Sequence, residues 1–176
     1  MKIKFMWAAG TVTGSSYVLT SGNGQSILID LGMFQGPPEI DSLNYQPFDY
    51  DFSKLSAVVL THAHLDHSGR LPILVRGGFN GNIYMTPPTA DLTELSLYDS
   101  AKIAKEDKSK ILYDTKDVDE TLKLFVTMDY HKEIHIGNFI VTFYDAGHIL
   151  GSASLEIVDK NSSSDIKKII FSCDIG

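Results

Sequence analysis

The chain has 176 residues, 43% hydrophobic and 21% charged, the balance of an ordinary globular domain, or part of one, large enough to bury a core. Its net charge of -7, with no visible Lys/Arg stripe, excludes simple electrostatic adhesion to a polyanion, which rests on basic clusters. No run is apolar enough to span a bilayer, MKIKFMWAAG lacks the regions of a signal peptide, and the single cysteine, Cys173, excludes an internal disulfide, so a cytoplasmic protein without membrane contact is expected.

In chain order, the first elements read as strands. KIKFMWAAG at 2–10 alternates, and SSYVLTSGNGQSILIDLG at 15–32 is two apolar runs around the tight turn Ser21–Gln25. LSAVVLTH at 55–62 is a third apolar run. SGRLPILVRGG at 68–78 carries helical signals, with Ser68 as N-cap, an early proline and a terminating glycine pair. NIYMT at 82–86 is a short strand, followed by a long helix over 88–107 capped at Thr89 and a shorter one over TKDVDETLKLF at 115–125. IHIGNFIVTF predicts a hairpin turning at Gly137 and Asn138. SASLEIVD at 152–159 and KKIIFSCDIG at 167–176 predict two final strands joined by the polar loop NSSSD at 161–165. Strands dominate with helices between them, which predicts a layered α/β or α+β fold with a sheet covered by helices on one face.

The chemistry concentrates in THAHLDHSGRLP, where three of six histidines and an aspartate fall within six positions. His62 and His64 are two apart at the end of an extended run, so both side chains point to one side. Asp66 and His67 follow as the chain turns towards the helix. Imidazole and carboxylate ligands suit zinc, with manganese or iron as alternatives. Four ligands so close in sequence crowd a single ion, whereas two ions about 3.5–4 Å apart fit better, His62 and His64 on one and Asp66 and His67 on the other. Two ions need further ligands. DAGHILGSAS places His148 at a strand end between Gly147 and Gly151, and FSCDIG places Asp174 at another strand end, with two oxygens suited to bridging.

THAHLDHSGRLP, DAGHILGSAS and FSCDIG resemble the successive metal motifs of the metallo-β-lactamase superfamily, and DHSGRLP, GHILGSA and ILIDLGMFQG resemble its β-CASP branch of RNA-processing nucleases. The resemblance spans nearly the whole chain, and it is the residues flanking the generic H-x-H-x-D-H that single out this branch. It implies an α+β fold, the four-layer αββα sandwich, of which residues 1–176 would be the N-terminal part: mostly antiparallel sheet with covering helices. It implies that His62, His64 and His148 hold one divalent ion, that Asp66 and His67 hold a second, and that Asp174 bridges. It further implies two zinc ions, with Mn2+ or Fe2+ as substitutes, and hydrolysis of RNA, single-stranded in expectation, by an activated water whose proton Asp66 accepts or orients. The products would carry a 5′-phosphate and a 3′-hydroxyl.

Asp30, ending SILID, matches the superfamily's first acidic motif and would orient ligands without binding metal; read alone, it is equally a turn aspartate before Gly32. Thr61 would act similarly or simply favour a strand. Cys173 departs from the family pattern, which has glycine there, and is read as a small buried thiol in preference to a soft ligand. His131 and His135 are read as surface or hairpin-flanking residues. The β-CASP insertion and the C-terminal part of the domain are absent from the chain, which carries six of seven expected ligands, so weak metal binding and little cleavage are expected of it in isolation. A homodimer or a processing complex would form through the parent protein. Two rivals remain open at this level: a thioester or lactone hydrolase of the same fold, and a non-catalytic RNA-processing subunit. An iron oxygenase would instead show glutamate in place of His64.

Overall fold

In the computed structural model, residues 1–7, 10, 12–106, 111–162 and 167–176 are described. Six strands form one mixed sheet: β1 (Lys2–Trp7), β2 (Ser16–Thr20), β3 (Ser26–Ile29), β4 (Leu55–Val59), β5 (Asn82–Met85) and β6 (Phe125–Thr127), in that spatial order. β1, β2 and β3 pair antiparallel, while β3 through β6 run parallel. The second sheet is wholly antiparallel, in the order β10 (Lys168–Phe171), β9 (Ala153–Asp159), β8 (Phe139–Asp145), β7 (Glu133–Ile136).

Period-two patterning explains how the sheets stack. Ile27, Ile29, Ala57 and Val59 point into a core shared with Phe139, Val141, Phe143, Leu155 and Ile157 of the second sheet. The alternate residues Val18, Leu28, Val58 and Ile83 face the opposite side, where they meet Leu71 and Leu74 of α3 (Leu71–Arg76). β3 and β4 are therefore apolar on both faces, as buried parallel strands must be. Between β3 and β4 lies the one-turn α1 (Pro38–Asp41), and outside lie α4 (Pro87–Glu106) and α5 (Thr115–Leu122), joined through Leu97, Ala101, Tyr113 and Val118. The described elements thus supply three of the expected four layers, helix on sheet on sheet.

Three local readings change. Ser68 is not an N-cap: it closes a one-turn helix, α2 (Leu65–Ser68), and its hydroxyl donates back to Ala63 O and His64 O, both at 3.0 Å, while α3 starts after Arg70. Thr89 is the third residue of α4, which begins at Pro87, and the capping hydroxyl belongs to Thr86, which accepts from Thr89 N at 3.4 Å. The helix expected over 115–125 stops at Leu122, because Phe125–Thr127 pairs with β5 instead; aromatic and β-branched residues favour the pleated surface. The start of α5 is fixed by Asp114, which accepts from Lys116 N and Asp117 N at 2.9 and 3.1 Å while Asp117 accepts from Asp114 N at 3.0 Å. Both hairpins form as expected, with Gly137 at φ +57°; of the loop at 161–165, residues 163–165 lie outside the described residues.

The topology decides where a site can form. Asp30 follows β3, His62 to His67 follow β4, Thr86 follows β5, His148 follows β8, and Cys173 and Asp174 follow β10. All these strands present carboxyl ends at one edge of the sandwich, the end at which ligands gather on parallel sheets.

Candidate metal centre

Beyond β4 the chain stays extended through His64, whose φ and ψ are -58° and 143°, before α2 turns. His62 and His64 consequently lie side by side, with His62 Nε2 3.1 Å from His64 Nδ1. His148 arrives from the second sheet and sets its Nε2 3.2 Å from the same Nδ1. Tetrahedral zinc with nitrogen ligands at about 2.0–2.1 Å would separate them by roughly 3.3 Å, so these three nitrogens match a common ion. Asp174 Oδ2 lies 3.7 Å from His148 Nε2 and 4.0 Å from His62 Nε2. Its other oxygen, Oδ1, lies 3.7 Å from His67 Nε2, and Asp66 Oδ2 is 4.0 Å from that nitrogen. The six side chains expected from the sequence are therefore brought together as two groups with Asp174 between them, a donor set that could hold two cations.

Asp30 is the organiser behind this set. It is 2% exposed and accepts from Thr61 N, from Thr61 Oγ1 and from His67 Nδ1, each at 2.8 Å. With Nδ1 donating to Asp30, His67 keeps the Nε2 lone pair for a metal. Thr61 Oγ1 spends its proton on Asp30 and so can only accept from His62 Nδ1, 3.2 Å away, which leaves His62 Nε2 free as well. One carboxylate thereby sets the tautomer of His67 and, through Thr61, favours the same tautomer in His62. Asp30 sits at φ +55°, in the left-handed region where Asp is among the better-tolerated side chains. Asp30 thus occupies the expected turn, and its bonds to Thr61 and His67 are those an orienting role would use.

The loop bearing His62 to His67 is zipped to the segment after Asp30 by Leu31 N to His67 O and Met33 N to Leu65 O, at 2.8 and 2.7 Å, and to the start of β2 by Ser15 N to Asp66 O at 2.9 Å. Contact is so close that a Cβ on Gly32 would fall 1.6 Å from Asp66 O. Arg70, fully buried, stacks between Phe34 and Phe48 with its guanidinium carbon 4.7 and 4.9 Å from the ring centres, and its Nε donates to Gly32 O at 2.5 Å. Sequence reading missed this role for Arg70, because nothing local marks a surface-type residue as buried 38 positions from its partner.

Cys173 is a half-buried residue at the edge of the site, where a core position was expected, because β10 has already ended. Its Sγ lies 3.1 Å from His62 Nδ1, the ring nitrogen opposite the one that faces His64; with His62 and His67 it also forms a second cluster whose ligating atoms lie within 4.8 Å of one another, and burial pushes its pKa up to about 12. Its φ of +61° is a conformation natural to glycine. Cys173→Gly should therefore leave the metal content unchanged when measured by inductively coupled plasma spectrometry; loss of an ion would make the thiol a ligand. His131 and His135 stay outside the site: His131 occupies a turn at φ +61° and His135 meets Lys160 Nζ at 2.9 Å.

The histidines differ in protonation. Burial, then the neighbouring His67 charge, pushes His62 down to about 4. Burial is also the largest influence on His67 and acts downward, but the hydrogen bond and charge of Asp30, with the charges of Asp66 and Asp174, outweigh it and hold His67 above 6.5. A proton on Nε2 competes with a cation. Acidification should thus displace the ion at His67 first, while His62 remains neutral. Metal titrations at successively lower pH should show one of two affinities falling first; simultaneous loss of both ions would contradict the assignment.

A cleft of about 420 Å³ opens beside Asp30, Thr61, His67, Cys173 and Asp174. Among the described residues no helix is long and apolar enough to cross a membrane.

Residues 18–175 match the model of a metallo-β-lactamase superfamily domain. The chain is 38% identical over 176 residues to Ribonuclease TTHA0252 of Thermus thermophilus, covering 100% of this chain and 38% of that protein. It is 41% identical over 142 residues to Transcription termination factor FttA of Methanosarcina mazei, covering 80% of this chain and 22% of the relative. Over 147 residues it is 33% identical to Cleavage and polyadenylation specificity factor subunit 3-I of Arabidopsis thaliana, covering 82% and 21%. The chain thus spans well under half the length of these curated relatives. Among solved structures, a Cronobacter sakazakii metallo-β-lactamase with the HARLDQ motif aligns with TM-score 0.58 at 19% identity, over 97% of this chain and 61% of that one. The metallo-β-lactamase fold protein YhfI of Bacillus subtilis aligns with TM-score 0.57 at 19% identity, over 98% and 62%. These two likenesses show a common fold.

Proposed function

Because the chain belongs to the metallo-β-lactamase superfamily, with β-CASP RNA-processing proteins as its relatives, we propose that it is the N-terminal part of a metal-dependent nuclease that hydrolyses phosphodiester bonds of single-stranded RNA. The observation that carries the reading is the placement of Asp174, one oxygen towards the His62, His64 and His148 group and the other towards His67. That is the arrangement a two-cation phosphodiesterase requires. His62, His64 and His148 would hold one ion, Asp66 and His67 the second, and Asp174 both. Zinc suits this nitrogen-rich set, with manganese or iron(II) as substitutes.

Two cations held there would lower the pKa of a shared water and neutralise phosphate oxygens during in-line displacement. The chain's own contribution is to fix that geometry in advance. Asp30 and Thr61 hold the imidazoles in the ligating tautomer, and Asp66, besides ligating, orients the attacking water and accepts its proton. Products would be a 5′-phosphate and a 3′-hydroxyl. The cations also account for RNA binding by a chain of net charge -7, since bound ions can be the largest charges in a site. We place the parent protein in the cytoplasm, as a homodimer or within a processing complex.

The test is cleavage of end-labelled single-stranded RNA by a protein extended to the length of the relatives, alongside the 176-residue chain. The extended protein should cleave, lose activity to a chelator and regain it with zinc or manganese, while the short chain should cleave little. Turnover of S-lactoylglutathione without RNA cleavage would refute the nuclease reading.

A further inference from the structure

His62 and His64 are carried by the first sheet and His148 by the second, so their convergence depends on ties between the sheets at the site edge. The arch that bears His148 is internally braced. His148 N and Ile149 N both donate to Ser152 Oγ, at 3.1 and 3.2 Å, Ser152 N donates to Ile149 O at 2.9 Å, and Tyr130 OH donates to Ser152 O at 2.9 Å. Gly147 and Gly151 at its ends adopt φ of +71° and +83°, so backbone preference alone does not fix how the arch is set against the first sheet.

Two hydroxyls do. Thr86, after β5, and Thr89, in the first turn of α4, are 1% and 0% exposed, and their Oγ1 atoms donate to Gly151 O at 2.7 and 2.9 Å. Each hydroxyl has one proton and the carbonyl two lone pairs, so both bonds can form together. The fit leaves no room: a Cβ on Gly151 would lie 2.7 Å from Thr89 N and 2.8 Å from each hydroxyl oxygen. Beside it, Ala153 N donates to Thr61 O at 2.9 Å, next to His62.

We propose that Thr86 and Thr89 are positioning residues that clamp the His148 arch to the first sheet and so set the third nitrogen of the first metal site. The inference rests on the two-cation reading of the centre. It predicts a selective effect, since the clamp touches the arch of His148 and neither Asp66 nor His67. Replacing threonine by valine keeps shape but removes the hydroxyl, leaving Gly151 O without its partners and Thr89 N without its cap, whereas serine retains both functions.

The experiment is cobalt titration of the protein extended to the length of its relatives, followed by visible absorption, for wild type, Thr86→Val/Thr89→Val and Thr86→Ser/Thr89→Ser, with circular dichroism to check folding. The valine pair should lose about 10–100-fold in affinity for one of two ions, the range for groups that support ligands, and shift that ion's absorption band, and the serine pair should restore both. Equal weakening of both ions, or a valine pair identical to wild type, would overturn the clamp. If the valine pair fails to fold, the two single valine variants decide by the same criteria. Wild type that binds two ions with an unaffected valine pair sinks the clamp alone; wild type that binds none sinks the metal reading with it.

Discussion

Asp174→Ala should reduce the bound metal from two ions per chain to one at most and, in a protein extended to the length of its relatives, lower RNA hydrolysis by about 10³-fold or more. The magnitude follows from what the carboxylate does. Among the described residues Asp174 is the one side chain whose two oxygens face both donor groups, so its loss would remove a ligand from each ion and widen their separation. Positioned cations supply several kcal/mol of transition-state charge stabilisation, and each 1.4 kcal/mol is a factor of ten. Asp174→Asn sharpens the test, because it keeps the shape but replaces two anionic oxygens by one neutral carbonyl oxygen. It should retain one ion and remain nearly as inactive as the alanine variant. Metal analysis with a single-turnover cleavage assay checks both; two ions retained in Asp174→Ala would refute the bridging role.

Asp30→Ala should be the most destabilising of the site substitutions, by about 3–5 kcal/mol, the cost of removing one partner from a buried charged network. Three donors converge on this carboxylate, and its removal leaves Thr61 N–H buried without a partner. Asp30→Asn separates stability from chemistry. Asparagine tolerates the φ of +55°, but an amide NH2 facing His67 Nδ1 would reverse its tautomer and place the proton on the metal-facing Nε2. The asparagine variant should therefore fold, lose much less stability than alanine, and bind the second ion at least about tenfold more weakly. Chemical denaturation and metal titration resolve the two effects; full metal affinity in Asp30→Asn would exclude tautomer control by Asp30.

What could be read before folding follows from the range of the interactions. The spacing of His62, His64, Asp66 and His67 is local, and a strand running into a single helical turn needs only adjacent residues to present them together. His148 and Asp174 became legible through motif resemblance, since nothing in DAGHILGSAS or FSCDIG alone separates a ligand from a turn residue. Asp30 was undecided because its partners lie 31 and 37 positions away. The Thr86 and Thr89 clamp was invisible for the same reason: its carbonyl is over 60 residues distant, and the local signal at Thr89 reads as a helix cap. Arg70, for which the sequence carried no local signal, proved a buried brace. β6 went unread, with its first residue Phe125 assigned to the preceding helical run, because three residues carry too little periodicity to mark a boundary.

The account stands on two cations held by six named side chains, and anomalous diffraction at the zinc edge from crystals grown with Zn2+ tests it most directly. It predicts two peaks about 3.5–4 Å apart, one bounded by His62, His64 and His148 and the other by Asp66 and His67, with Asp174 between them. A single peak, or peaks elsewhere on the molecule, would contradict it.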